Sequence, residues 1–446
     1  MRRTLALAVL GLVSVAIASA IAFLQRPGPL PPPREGHVAA GPLRVSAQLD
    51  RRYLREGQDG TAYLEIELTA PPEERGRARV PVNAVLLLDR SGSMHGMKIE
   101  QARAAAATLV EALGEMDRLT IIAFDSGAEV LVPSSKVTND VKATARRRIA
   151  GLRAMGETNF SAAFELAGLQ LAAGRREGQV DEVFLASDGR VTSGELDPAR
   201  LVRAARARFG RATLSTFGIG EDYDEDLMRL LADAGGGRMQ FIEDVSTLPR
   251  AFAAELGRAN RIVATDVRLR VAAPAGGTVE RVFGYEPVDG VVRVPDFAAG
   301  DERHVLLRLA FRGGTGTAGV AAVEVEYVDA AGRARRAAAS AQATFTADAR
   351  LLAEPPGRAA VDGARAEMAD LARAAALEEE AGRRDQAAEK LDQLARVAAS
   401  APAPHLRDEA RLYSMSVSAI VSQGDVAAKA VKQKSFDAVR APVAGW

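Results

Sequence analysis

The 446-residue sequence predicts an α/β protein in which a doubly wound, mainly parallel sheet is inserted in a β-sandwich and followed by helices. Between residues 80 and 261, short apolar runs alternate with segments of helical spacing, which is typical of a parallel sheet with helices on both faces. In residues 43–69 and 262–346, apolar and polar residues alternate with period two. That pattern is typical of antiparallel strands with one solvent-facing side.

The first 25 residues predict a signal peptide or an N-terminal membrane anchor. Two arginines precede an uncharged, almost wholly apolar stretch from Thr4 to Leu24, which is long enough to span a bilayer. Ala18-Ser19-Ala20 resembles a signal-peptidase site, so cleavage and anchoring both remain open. Because either outcome places the following chain outside the cytoplasm, we expect an extracytoplasmic protein, exported to the cell envelope or anchored in the membrane.

Composition and patterning set the remaining domain boundaries. Residues 26–42 are rich in proline and predict an extended linker. Residues 347–446 are dominated by Ala, Glu, Arg and Leu with apolar residues three or four apart, which predicts a helical hairpin or bundle. Since the strands before residue 80 are too few to close a sandwich, we expect them to pair with later ones. The predicted divisions are 43–79 with 262–346 as the β-sandwich, 80–261 as the inserted α/β domain and 347–446 as the α-helical region.

Composition also excludes several classes of function. The 58 basic and 58 acidic residues balance, so there is no electrostatic case for nucleic acid. Cysteine is absent, which excludes disulfides, zinc thiolate sites and a cysteine nucleophile. No Gly-Lys-Ser/Thr phosphate loop occurs, so we expect no nucleotide. Because no Ser/His/Asp set or paired-carboxylate cleft can be assembled from the motifs, we expect binding rather than catalysis.

One stretch carries most of the functional signal. The apolar run from Val82 ends in Asp89 and predicts a strand buried on both faces. Ser91 and Ser93 follow in a glycine-containing turn, so one carboxylate and two hydroxyls stand at alternate positions. Hard oxygen donors of this kind can converge on one cation, and their chemistry favours Mg²⁺ or a close relative.

This pattern, Asp89-x-Ser91-x-Ser93 after an apolar strand, resembles the metal-ion-dependent adhesion site of von Willebrand factor A (VWA) domains. The family also uses a Thr and an Asp from two further loops. Gly156-Glu157-Thr158-Asn159 and Ser187-Asp188-Gly189 resemble those loops, with Glu157 in place of Gly and Ser187 in place of Thr. The resemblance implies a Rossmann-like domain that binds Mg²⁺, with Mn²⁺ or Ca²⁺ as alternatives. The implied ligands are Asp89, Ser91, Ser93, Thr158 and Asp188.

The resemblance also implies how a partner binds. An Asp or Glu carboxylate of a protein ligand would complete the metal shell, and the rim of the metal loops, including His95, Glu157 and Asn159, would contact that partner. Residues 284–301 resemble part of the β-sandwich that follows the VWA domain in bacterial envelope proteins. We therefore expect an adhesion or scaffolding module. The alternative is a non-catalytic VWA subunit of a chelatase- or ATPase-type complex, which the export signal disfavours because those complexes are mostly cytoplasmic.

Overall fold

The structure is a computed structural model. It describes residues 38–39, 41–73, 79–188, 190–220, 223–242, 244–274, 276–285, 287, 289–423, 428, 431–432 and 434–435. The predicted signal peptide or anchor (1–25) and most of the proline-rich linker (26–42) therefore lie outside the described residues. Within the described part of the chain, no helix is both long and apolar enough to cross a membrane.

The described residues contain seventeen strands in three sheets. In chain order they are β1 Val38–Ala39, β2 Arg44–Leu49, β3 Tyr53–Arg55, β4 Gly60–Thr69, β5 Val82–Asp89, β6 Arg118–Phe124, β7 Ala128–Lys136, β8 Val180–Ser187, β9 Thr213–Ile219, β10 Gly236–Ile242, β11 Ile262–Ala272, β12 Thr278–Val282, β13 Val292–Val294, β14 Phe297–Ala298, β15 Glu302–Phe311, β16 Gly316–Asp329 and β17 Ala334–Thr346.

The α-helices fall into two groups, one before β11 and one after β17. In the first group are α1 Met97–Ala112, α2 Asn139–Ala150, α3 Phe160–Gly174, α4 Pro198–Phe209, α5 Glu225–Ala234 and α6 Leu248–Ala259. In the second are α7 Ala349–Leu352, α8 Arg358–Glu380, α9 Arg384–Ser400 and α10 His405–Gln423. Short 3₁₀ helices span Gly92–Met94 and Val245–Thr247.

The six-stranded sheet confirms the predicted doubly wound α/β fold. Its order is β10-β9-β8-β5-β6-β7, and all neighbours are parallel except the edge strand β7, which is antiparallel to β6. Every residue of β5 is buried because successive side chains point to opposite faces, and helices cover both. Leu86 and Leu88 pack with α1, α2 and α6, whereas Val85 and Leu87 pack with α3, α4 and α5.

Strand β10 has only a short strand-like pattern in the sequence, because its first two residues are glycines. A Cβ atom added at Gly237 would lie 2.2 Å from the carbonyl oxygen of Leu214, so only glycine lets β10 approach β9 this closely. The close approach that forms this edge of the sheet therefore shortens the alternating pattern by which strands are recognised.

Two antiparallel sheets lie outside this α/β region. One has the order β12-β15-β4-β2, and the other has the order β1-β17-β16-β11-β13, with β14 on β11 and β3 on β17. Strand β4 pairs along its whole length with β15, from Gly60 opposite Phe311 to Thr69 opposite Glu302. Apolar residues of both sheets form one buried cluster. We propose from this pairing that residues 43–79 and 262–346 form one β-sandwich, with residues 80–261 inserted as a domain.

Buried charged contacts join the α/β region to the antiparallel sheets. The guanidinium of Arg258 on α6 lies 2.9 Å from the carboxylate of Asp301 and also donates to the backbone carbonyl of Asp296. The Asp296 carboxylate in turn accepts the hydroxyl proton of Thr213 on β9. Burial raises the pKa of Asp296 to about 7, even though the hydrogen bond from Thr213 and the charge of Arg258 oppose the rise. The contacts fix the α/β region against the strands that follow it.

The predicted C-terminal helices are present and pack on the four-stranded sheet. Residues of α8, α9 and α10 form one apolar cluster with Leu306 of β15 and Phe283, which follows β12. The Tyr63 hydroxyl of β4 donates to Glu367 on α8 at 2.5 Å. A Cβ atom at Gly363 would lie 2.3 Å from the Tyr63 ring, so a glycine is needed where α8 crosses that side chain.

If the proposed insertion is correct, a fragment of residues 80–261 should fold on its own, because it contains the whole six-stranded sheet and both of its apolar clusters. A fragment of residues 262–346 should not fold, because β15 lacks β4 as its partner. Thermal unfolding followed by circular dichroism measures both. A cooperative unfolding transition of the 262–346 fragment would contradict the proposed sandwich.

His304 of β15 is a buried histidine held between two carboxylates. Its Nδ1 lies 2.7 Å from Glu65 on β4, and its Nε2 lies 2.9 Å from Glu302. The hydrogen bond to Glu65 is the largest cause of a pKa raised above the ordinary value of 6.5, and burial partly opposes it. Protonated His304 therefore stabilises the pairing of β4 with β15.

We expect His304→Gln to lower the free energy of unfolding by about 1 to 2 kcal/mol near pH ~5. Because the pKa of His304 is higher in the folded than in the unfolded state, its charge stabilises the fold fully at a pH below the unfolded-state pKa. That stabilisation is lost as the pH rises through the raised, folded-state pKa. In urea unfolding, the difference from wild type should therefore shrink as the pH rises through the raised pKa of His304. His95→Gln, at an exposed position, is the control. A difference for His304→Gln that is constant with pH would show that its charge contributes nothing.

Candidate functional site

Three loops meet at the carboxyl ends of the central strands, where ligands of open α/β sheets bind. Asp89 ends β5, Asp188 follows β8, and Thr158 lies just before α3. Backbone hydrogen bonds tie the loops together. The amide of Gly92 donates to the carbonyl of Gly156 at 3.0 Å, and the amide of Thr192 donates to the carbonyl of Thr158 at 3.0 Å.

Asp89 lies at the base of the site and is fully buried. One carboxylate oxygen accepts the amide of Ser91 at 2.7 Å, and the other accepts the hydroxyl proton of Ser187. Burial, with a smaller contribution from the nearby charge of Asp188, raises the pKa of Asp89 to about 6, although the hydrogen bonds from Ser187 and Ser91 oppose the rise. A positive charge at this position would therefore relieve an unfavourable burial of negative charge.

A chain of hydroxyls connects the first loop to Asp188. The Oγ atoms of Ser91 and Ser93 lie 3.0 Å apart, and Ser93 donates to Oδ1 of Asp188 at 2.8 Å. Ser91 and Asp188 are buried, whereas Ser93 is exposed. Four of the five predicted ligands therefore form one hydrogen-bonded group that opens to solvent at Ser93.

Thr158 belongs to the same site through the backbone of its loop. It is 3% exposed, and its amide donates to the hydroxyl of Thr192 at 2.9 Å. Its carbonyl accepts the amides of Thr192 and Ser193. The loop that follows Asp188 thus clamps the loop that carries Thr158.

The region that carries the candidate site matches a known family. Residues 84–190, which carry all five predicted ligands, match the family model of the von Willebrand factor type A domain. The chain contains a VWA domain. Domains of this type typically bind a divalent metal at the adhesion site that the sequence motifs resemble.

Three relatives match about half of this chain. The chain is 29% identical to a protein of Synechocystis sp. over 260 residues, which are 55% of this chain and 61% of that protein. It is 31% identical to YfbK of Escherichia coli over 228 residues, 50% of this chain and 39% of that protein. Human inter-alpha-trypsin inhibitor heavy chain H4 is 32% identical over 229 residues, which are 48% of this chain and 24% of that protein. This chain therefore spans less than two thirds of each relative's length.

Two solved structures resemble the protein over most of its length. A von Willebrand factor type A protein from Catenulispora acidiphila superposes with a TM-score of 0.66 at 23% identity, covering 84% of this chain and 91% of that one. The ArnB paralog VWA2 from Sulfolobus acidocaldarius superposes with a TM-score of 0.60 at 19% identity, covering 89% and 99%. At these identities the likeness shows the fold.

The donor set of this VWA domain fits a hard divalent cation. Two carboxylates and neighbouring hydroxyls supply oxygen ligands of the kind that Mg²⁺ prefers, and Ca²⁺ or Mn²⁺ accept the same donors. Within the described part of the chain, no group of three or more His, Cys, Asp or Glu side chains is placed to hold a metal. A cation here would therefore depend on the serine and threonine hydroxyls as well as on Asp89 and Asp188.

The three predicted rim residues differ in their surroundings. His95 and Glu157 are exposed. Asn159 instead caps α3, because its Oδ1 accepts the amide of Ala162 at 3.0 Å, and its Nδ2 donates to the carbonyl of Ser126 at 3.1 Å. The side chain of Asn159 thus holds the second metal loop in place, which leaves His95 and Glu157 as the predicted residues that face solvent.

Asp125 helps to position the second loop. Its carboxylate lies 2.9 Å from the guanidinium of Arg90, and its backbone carbonyl accepts the amide of Asn159 at 2.9 Å. These contacts hold the turn after β6 against the loop that carries Thr158.

Lys98 is a site residue that sequence reasoning missed. Its ammonium group pairs with Oδ2 of Asp188, and its side chain is 26% exposed. A Cβ atom at Gly220 would lie 3.2 Å from Cε of Lys98, so the glycine leaves room for the lysine to cross toward Asp188. Nothing in the local sequence marks this residue, which lies in the first turn of α1 and looks like a solvent-facing helix position.

We expect Lys98→Met to destabilise the metal-free protein by about 1 to 3 kcal/mol, because Asp188 loses its cationic partner. Mg²⁺ affinity should rise by about tenfold, since the ion no longer competes with an ammonium group for the same carboxylate. Thermal unfolding and isothermal titration calorimetry measure the two effects. Lys136→Met, at an exposed position on β7, is the control. A fall in Mg²⁺ affinity would mean that Lys98 supports the ion instead of competing with it.

Proposed function

We propose that this protein is an extracytoplasmic, Mg²⁺-dependent protein-binding module that acts in adhesion or scaffolding. A carboxylate from an Asp or Glu of the partner protein completes the metal shell. VWA domains mediate protein–protein interaction in general, which supports a binding role. In this proposal Asp89 and Asp188 anchor the ion, and Ser91, Ser93 and Thr158 contribute hydroxyls directly or through water.

The proposal rests on a difference in burial among the four hydrogen-bonded site residues. Asp89, Ser91 and Asp188 are buried below, whereas Ser93 is exposed at the top. A cation held among these donors would have protein ligands on its inner side and solvent on its outer side. Because Mg²⁺ takes about six oxygens, five protein donors leave a position that an outside carboxylate can fill.

The alternative is a non-catalytic VWA subunit of a chelatase- or ATPase-type complex. Location separates the two functions, because an ATP-driven complex needs the cytoplasm and the proposed module does not. Relatives that carry similar sequence include the human inhibitor heavy chain and the Arabidopsis E3 ubiquitin-protein ligase WAV3, which is 26% identical over 276 residues. Similar sequence in an inhibitor heavy chain and in a ubiquitin-protein ligase favours a recognition role over a shared catalytic reaction.

Mg²⁺ should stabilise the protein by about 2.7 kcal/mol when the ion is at about a hundredfold excess over its dissociation constant. The reason is that, without the ion, the site holds two neighbouring carboxylates that are both buried. Asp89→Ala should abolish this gain, and Asp392→Ala, at a distant surface aspartate, should leave it unchanged. Differential scanning calorimetry with and without Mg²⁺ or Mn²⁺ measures the effect.

The same proteins test partner binding. Wild-type protein should retain a partner from envelope extract in Mg²⁺ and release it in chelator. Thr158→Ala should weaken retention with less effect on the fold, whereas Thr108→Ala, on the exposed side of α1, should behave as wild type. A melting temperature that ignores divalent ions, together with a partner that stays bound in chelator, would refute the proposed site.

A reporter enzyme that is active only outside the cytoplasm should be active when fused after Leu43. The physical reason is the pair of N-terminal arginines followed by an uncharged apolar stretch, which orients the chain outward. The same fusion without residues 1–25 is the control and should be inactive. Activity of a cytoplasm-only reporter at this position would favour the chelatase- or ATPase-type function instead.

A further inference from the structure

Three large apolar side chains are exposed on the segments that build the candidate site. Met97 is 63% exposed, Met155 is 57% exposed and Leu196 is 58% exposed. Met97 begins α1 directly after the loop of Ser91 and Ser93, Met155 lies in the loop of Thr158, and Leu196 lies in the segment that follows Asp188. We call these three residues the apolar rim.

Hydrogen bonds hold the three segments of the apolar rim at the same edge of the sheet. The amide of Met155 donates to the carbonyl of Arg90 at 2.7 Å, in the turn that leads to Ser91. The amide of Glu195 donates to the hydroxyl of Ser161 on α3 at 3.2 Å, which fixes the chain just before Leu196. The apolar rim and the oxygen donors therefore share one rigid set of loops.

Folding does not explain the apolar character of these positions. More than half of each side chain is in contact with solvent, so each contributes little to the buried apolar clusters. Several exposed apolar side chains on the loops that build one polar site are typical of an interaction surface. Such side chains become buried, and so contribute to affinity, only when a partner covers them.

Charge indicates what the covering partner carries at its centre. A divalent ion at the site, together with the Lys98 ammonium beside Asp188, attracts a carboxylate. Around that centre, the apolar rim offers no charge to pair with and favours apolar side chains instead. A carboxylate alone would leave the rim in water, and an apolar segment alone would leave the ion without its last ligand.

We propose that the partner presents an Asp or Glu flanked on both sides by large apolar residues, such as Leu, Met or Phe, and that the apolar rim selects those flanks. This inference rests on the proposed function, because the central carboxylate binds through the metal. The rim adds specificity among acidic segments that the metal by itself does not distinguish.

A displayed library of random seven-residue peptides tests the preference. The full chain is immobilised in Mg²⁺, bound peptides are eluted with EDTA, and the enriched sequences are determined. We expect enrichment of Asp or Glu with Leu, Met or Phe within two positions on either side. The triple variant Met97→Ser, Met155→Ser, Leu196→Ser should still enrich the acid but lose the apolar flanks.

A matched control separates the rim from apolar surface in general. The variant Met116→Ser, Leu169→Ser, Leu412→Ser changes three similarly exposed side chains, 68%, 61% and 52% exposed, that lie away from the metal loops. It should select the same peptides as wild type. A synthetic copy of an enriched peptide should bind the rim variant at least about tenfold more weakly, since one such side chain buried on binding is worth about that factor.

The outcomes distinguish this inference from the function on which it rests. Chelator-eluted peptides that are acidic but polar on both flanks would overturn the apolar rim and leave the proposed function intact. An absence of acidic, chelator-eluted peptides would overturn both. If the wild-type chain is a dimer in Mg²⁺ and the rim variant is a monomer, a second copy of this chain covers the rim and the inference is wrong.

Discussion

The candidate site depends on the register between β5 and β8. The two parallel strands pair from Val82 opposite Val180 to Leu88 opposite Ala186, so Asp89 and Ser187 end the strands side by side. That register places the Ser187 hydroxyl on the Asp89 carboxylate and brings Asp188 to the same edge. Because the side-chain period of a strand is two, a slip by one residue would exchange the faces of β5 and break this arrangement.

Burial on both faces of the sheet fixes that register and also sets the electrostatics of the site. Asp89 is carried into a fully buried position by a strand whose residues are all buried. The protein compensates with the backbone amide of Ser91 and the hydroxyl of Ser187 on Asp89, and with one ammonium group, Lys98, on Asp188. The negative charge of the two carboxylates is thus only partly compensated, and one side of the site is open to solvent. A permanent ion pair at this place would suit an exchangeable cation less well.

The sequence predicts the parts of the site that lie at the ends of apolar strands, because the strands themselves are easily recognised. Asp89, Ser91 and Ser93 follow such a strand, and Asp188 follows another. Lys98 could not be predicted, since its partner is distant in sequence and only the fold brings the two together. Asn159 carries two signals at once, a family loop position and an asparagine directly before a helix, and its contacts show the helix cap.

A similar limit applies to the fold. Strands with long apolar runs and helices with a wide apolar stripe were predictable from pattern alone. Helix α2 was not, because only Ala145 and Ile149 of its twelve residues are buried and the rest are mostly polar or charged. Strand β10 was difficult to recognise, because the glycines that let it approach Leu214 leave only a short alternating pattern after them. In both elements, contacts formed by tertiary structure replace the local pattern.

The pairing of β4 with β15 has a consequence during synthesis. Strand β4 leaves the ribosome well before β15, with the entire six-stranded sheet between them. Until β15 emerges, the ten residues of β4 have β2 on one edge and an unpaired row of backbone groups on the other. An open strand edge of this kind recruits other chains. The α/β region, whose neighbouring strands pair without waiting for β4, can fold in that interval, so its folding precedes the pairing of β15 with the open edge of β4.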